Sequence, residues 1–222
     1  SPAEDLTASK DVAESFIKIL KGKNVYRILR EMHAMRFLDK YIPEFAEINC
    51  RVQHDMYHVY TVDEHTLFAV RELEGLKDRH KYDHSLLATL LEELPNPEAL
   101  FLGALFHDIG KSRGKGHSEK VAEMAQAICS RMGMSEDEIG LVRFLVRHHL
   151  LLADTAQYRD IHDEKLVIEF AKKVGDIERL NMLYLLTFAD VRAVGPEVWN
   201  QWKGALFQEL YFKALTVLER GT

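Results

Sequence analysis

The chain has 222 residues, 47% of them hydrophobic, which is enough to bury one substantial core. Its formal charge of −6 and isoelectric point near 6.0 exclude a strongly basic, dedicated nucleic-acid binder. Cys50 and Cys129 are too few for a disulfide framework, no signal peptide is visible, and no apolar run approaches the ~20 residues that cross a bilayer. A cytoplasmic protein with no nucleic-acid or membrane partner is expected. The start at Ser1-Pro2, without methionine, reads as a fragment of a larger multidomain protein.

Helical spacing dominates, and no alternating strand pattern runs longer than a few residues. In chain order, helices are expected at 11–21 and 24–40. Thr61-Val62-Asp63-Glu64 places a hydroxyl at the N-cap and a glutamate at N3, a capping box that opens a helix to Leu76. After a helix at 84–93, Asn96-Pro97 opens an apolar one that runs into His107-Asp108 and stops at Gly110. A helix at 118–132 is followed by a second capping box, Ser135-Glu136-Asp137-Glu138, opening a helix to Leu150. The last helices are expected at 164–174, 177–193 and 197–219, with loops at 43–60, 77–83, 110–117 and 151–163. Gly22, Gly133 and Gly175 stand where C-terminal caps belong. The expected fold class is all-α, a bundle of about ten helices in a single domain. Residues 1–60 form its lead-in, 61–195 its core and 196–222 its closing helix.

Chance gives fewer than one His-Asp dipeptide in this composition, yet there are three: His54-Asp55, His107-Asp108 and His162-Asp163. Only His107-Asp108 ends a strongly apolar helix, which would hold polar groups at the edge of the core; the others read as solvated loop residues. His65, near Leu67, Phe68 and Val70, would by itself be a core histidine. Asp190 ends the run Leu183 to Ala189, where a carboxylate is costly to bury unless paired or metal-bound. Its alternative is an ion pair with Arg192 or another arginine. His117 and the His148-His149 pair lie between. Together these residues make a His/Asp set without cysteine, which suits metal-assisted phosphoester hydrolysis better than structural zinc. Trp199 and Trp202 read as core or interdomain packing, Met32 and Met35 as packing, and Arg27, Arg30 and Arg36 as a solvated face.

The order His65, His107-Asp108, Asp190 resembles the HD superfamily of metal-dependent phosphohydrolases. The resemblance implies that these four side chains hold one divalent cation. It also implies that His117 and one histidine of the later pair serve a second ion, with Asp108 bridging. Manganese, iron or magnesium suits such donors. A narrower resemblance covers nearly the whole chain. Arg51 through His65, Ala104 through Ser118, Arg147 through Leu151 and Trp199 through Lys203 are similar to the central domain of the bacterial PII uridylyltransferase/uridylyl-removing enzymes. That likeness implies hydrolysis of the uridylyl group from a tyrosine of the PII protein, with a nucleotidyltransferase domain before this one and ACT domains after it. It selects His149 over His148. The loop departs from the family pattern, which carries an aspartate before the histidine where this chain has Gly116-His117. Lys111 and Arg113, on the same Gly-rich segment, are placed to clamp a phosphate, while Lys115 reads equally as a solvated loop cation. A free nucleotide, alarmone or cyclic dinucleotide is the alternative substrate class, and a non-catalytic signalling domain the third reading. The Gly-Tyr-Pro element of cyclic dinucleotide hydrolases is replaced here by Leu151-Leu152-Ala153.

Overall fold

The structure, a computed structural model, describes residues 6–49, 60–78, 85–110, 118–195 and 197–221. Among them, besides a helical turn at 6–8, are twelve α-helices, one 3-10 helix and no β-strand. The first helix, α1 (Lys10–Lys21), starts at Ser9, whose hydroxyl accepts the Val12 N–H, and carries Asp11 in its first turn and Lys18 and Lys21 in its last. Both ends therefore complement the helix dipole.

The single helix expected over 24–40 is two, α2 (Val25–Ala34) and α3 (Phe37–Tyr41). The break falls at Met35 and Arg36, where Arg36 takes φ +60°. That turn aims Leu38 and Tyr41 into the core and leaves Met35 exposed, against its expected packing role. A 3-10 helix at Pro43–Ile48 then buries Phe45 and Ile48. The chain continues through α4 (Val62–Gly75), α5 (Ser85–Glu93), α6 (Pro97–Phe106), α7 (Ser118–Arg131) and α8 (Glu136–His148). The last four are α9 (Leu151–Tyr158), α10 (Glu164–Val174), α11 (Ile177–Val194) and α12 (Gln201–Arg220).

The capping signals are met unequally. Ser135 and Glu138 make both bonds of the capping box that opens α8. Thr61 starts α4 without a side-chain bond, and Asn96 turns its amide to Glu178 Oε1, 3.1 Å away, tying the start of α6 to that of α11. The loop expected over 151–163 contains α9, whose N-cap is Leu150 with no capping side chain; a helix opened without punctuation is hard to read from sequence.

At the centre lies α6, with every side chain from Ala99 to Phe106 fully buried. It packs against α1, α4, α8 and α11, while α4 runs along α11 and α7 along α8. One apolar cluster extends from Ala13 to Ala214, so the lead-in helix and the closing helix share the same core. Trp199 joins it against Phe188 and Phe207, with ring centroids 5.0 and 5.5 Å apart, whereas Trp202 is exposed and takes no part in the core. Two glycines set close approaches. A Cβ on Gly103 would sit 2.7 Å from Leu145 Cδ1, so glycine lets α6 meet α8, and a Cβ on Gly110 would collide with Val121 of α7. No helix among the described residues is long and apolar enough to cross a membrane.

Candidate metal centre

Four helices deliver the site. His65 lies on the first turn of α4, and His107 and Asp108 follow α6 directly, in the turn that Gly110 presses against α7. His149 caps the C-terminus of α8, and Asp190 sits in the last third of α11, beyond the buried run Leu183 to Ala189. His65, His107 and Asp108 are themselves buried.

The donors converge. His65 Nε2 lies 2.8 Å from Asp190 Oδ1 and 3.7 Å from Asp108 Oδ2. His107 Nε2 lies 3.3 Å from the same Asp190 oxygen and 3.4 Å from the same Asp108 oxygen. Ligand atoms of His65, His107 and Asp190 all fall within 4.8 Å of one another. The other oxygen of Asp108, Oδ1, faces His149 Nε2 at 3.8 Å. Asp108 thus turns one oxygen to the His65 and His107 side and the other to His149.

Helix ends orient the two later imidazoles. His107 Nδ1 donates to Ala104 O at 2.6 Å, and His149 Nδ1 donates to Val146 O at 2.9 Å. A carbonyl only accepts, so each Nδ1 carries a proton and each Nε2 is turned to the site. His107 Nε2 is buried and makes no hydrogen bond. A buried polar atom of this kind calls for a partner.

The electrostatics are those of a site built for positive charge. Burial alone would push the His107 imidazole down, but the Asp108 and Asp190 carboxylates outweigh it and push it up to about 10. Burial likewise opposes ionisation of Asp190, yet His107 and His65 hold its carboxyl well below the usual range. Burial and the charge of His107 push His149 down, keeping that ring neutral and a competent ligand. Imidazole nitrogens beside ionised carboxylates are a donor set that a divalent cation fits, the cation taking the place of the proton that the two carboxylates otherwise favour on His107.

Several expectations separate here. His148 packs its ring on Phe144, with centroids 5.2 Å apart, and makes no approach to Asp108 comparable to that of His149. The arginine alternative for Asp190 is not realised: Arg192 directs its Nε to Glu72 Oε2, 3.1 Å away. In the His162-Asp163 pair, His162 is solvated as expected, and Asp163 caps α10. Lys111, Arg113, Lys115, His117 and the His54-Asp55 pair lie outside the described residues. Sequence reasoning assigns Asp154 on α9 no role; burial pushes its carboxyl up.

The HD domain family profile matches residues 62–175, more than half of the sequence and the span that contains His65, His107, Asp108 and His149. The chain belongs to the HD domain family. This HD domain is also 43% identical over 208 residues to the bifunctional uridylyltransferase/uridylyl-removing enzyme of Nitrosococcus oceani, covering 93% of this chain and 23% of that protein. The enzyme of the same name from Vibrio cholerae is 41% identical over 210 residues (94% and 24%), and that of Methylococcus capsulatus 44% over 208 residues (93% and 24%). The chain therefore spans about a quarter of the length of these relatives. Asp190 lies beyond the family match but within the distances given above.

Proposed function

We propose that this HD domain is a metal-dependent phosphodiesterase that removes UMP from a uridylylated tyrosine of the PII nitrogen-signalling protein. The relatives named for uridylyl removal cover nearly the whole chain, which supports the substrate. The observation that carries the chemistry is Asp108, whose two oxygens face opposite histidine groups at 3.4–3.8 Å.

In this reading His65, His107, Asp108 and Asp190 would hold one divalent cation, and Asp108, His149 and His117 would hold a second. Manganese, iron or magnesium fits the donors. Such ions polarise the phosphoryl oxygens and make hydroxide available from water near neutral pH. The chain's own part is positional. Ala104 O and Val146 O hold two imidazoles with Nε2 toward the site, and the buried residues around them shield Asp108. Water attacks phosphorus, the bond from phosphorus to the tyrosine oxygen breaks, and the phenolate takes up a proton as UMP departs. Lys111 and Arg113 clamp the phosphate and offset the charge that builds on it.

The domain divides into a helical lead-in over 1–60, a metal-binding core over 61–195 and a closing helix over 196–222, and it works in the cytoplasm. The transferase named in the relatives belongs to a nucleotidyltransferase domain elsewhere in their length, beside ACT domains. Incubation with uridylylated PII and manganese should release UMP. Turnover of a free nucleotide, alarmone or cyclic dinucleotide instead, with none of modified PII, would replace this substrate with the alternative class.

A further inference from the structure

His65 and Glu72 are seven residues apart on α4, two helical turns, and so share the face that lies along α11. At one end of that contact His65 meets Asp190. At the other, the buried Glu72 carboxylate accepts from Arg192 Nε at 3.1 Å through Oε2 and from Arg71 at 3.3 Å through Oε1. Arg192 stands two residues beyond Asp190 and lies over the Phe188 ring at 5.8 Å; Arg71 lies over the Phe68 ring at 4.3 Å. Both partners of the bridge are thus held from their own helices as well as by each other.

We propose that the Glu72–Arg192 pair is a positioning brace that sets the distance between α4 and α11, and through it the spacing of His65 from Asp190. This rests on the reading that these two residues ligate a metal. Two physical arguments carry it. A buried ion pair adds little net stability compared with apolar side chains of the same volume, because desolvation offsets the attraction, so stability is a poor reason for an ionic contact here. A metal site, in contrast, tolerates only about 0.2 Å of error in ligand distance, and a directional, charge-assisted bond across the two ligand-bearing helices supplies that definition. Glu72 and Arg192 act through His65 and Asp190 and are not themselves ligands.

The test is manganese affinity, by titration calorimetry, set beside thermal unfolding. Glu72→Ala and Arg192→Ala should each weaken manganese binding by about 10–100-fold, the usual effect of losing a group that orients a ligand. Arg192→Lys should recover only part of the loss. The double variant Glu72→Leu/Arg192→Met, which fills the space without charge, should regain stability yet keep the weakened affinity. Glu44→Ala, which removes an ion pair remote from the site, gives a destabilised control that should bind manganese normally. Unchanged affinity in the single variants, or recovery of affinity in the double variant, would overturn the brace. No manganese binding by the unaltered protein would instead overturn the metal reading on which the brace stands.

Discussion

His107 and His149 make the same local bond. Each ends a helix, each donates its Nδ1 proton to the carbonyl three residues back, and each sends its Nε2 toward a different oxygen of Asp108. Their rings stand 5.2 Å apart between centroids, because Gly103 lets α6 approach Leu145 of α8. A helix end has carbonyls without helical partners, and a histidine that satisfies one of them acquires the ligating tautomer in the same step. Two unrelated stretches of sequence reach one site by one device.

Asp108→Ala should lose bound metal and UMP release together, with affinity lower by at least about tenfold, since it is the proposed ligand that faces both histidine groups. Metal analysis of the purified variant beside a UMP assay checks it. Chelation of the unaltered protein should abolish turnover, and added manganese should restore it. A variant that kept its full metal content would remove Asp108 from the site.

The adjacent histidines should behave differently. His149→Ala is expected to reduce catalysis much more than it lowers the unfolding temperature, and His148→Ala to leave catalysis nearly unchanged, because His148 packs against Phe144. An inactive His148→Ala protein beside a normal His149→Ala one would reverse the assignment.

Gly103→Ala should destabilise the fold by about 1–3 kcal/mol, as overpacked cores do, because the new methyl meets Leu145 Cδ1 at 2.7 Å and Cβ at 3.1 Å. For a chain of this size each kcal/mol lowers Tm by about 2–4 °C. Thermal unfolding measures this, and an unaltered Tm would mean that α6 and α8 separate freely. Paired with Leu145→Ala, the substitution should recover part of the loss.

The Glu44–Arg131 bridge, bidentate at 2.6 and 2.9 Å, ties the 3-10 helix at Pro43–Ile48 to the end of α7. Burial raises the Glu44 pKa, but the Arg131 bonds outweigh it and hold the carboxyl below the ordinary glutamate value. A carboxyl depressed on folding stabilises the protein above its unfolded pKa, and this stability is lost as pH falls through the folded one. Glu44→Gln should therefore cost about 1 kcal/mol near neutrality, the scale of a partly exposed ion pair, and almost nothing in strong acid. Paired unfolding curves across pH test the sign. A gap that widens toward acid would contradict it.

Much of this molecule is legible from local sequence. The capping box at Ser135, the left-handed glycines at Gly133 and Gly175, and the apolar run into His107-Asp108 all act within a turn or two of themselves. For this reason they read correctly without neighbours. The burial of His107-Asp108 at the end of α6 is legible in the same way, since a polar pair closing an apolar helix is a local contradiction that only function or pairing resolves. Where no local signal exists, the reading fails: α9 opens on an uncapped Leu150, and the break at Met35 and Arg36 has neither glycine nor proline to announce it. Tertiary structure decided the pairings. His65 and Asp190 meet across 125 positions, Glu72 takes the arginine that could have neutralised Asp190, and Asn96 leaves its own helix for Glu178. Periodicity and capping encode which segments become helices, because those energies are local. Which carboxylate meets which cation depends on how buried faces pack together, and that is settled only when the core closes around α6.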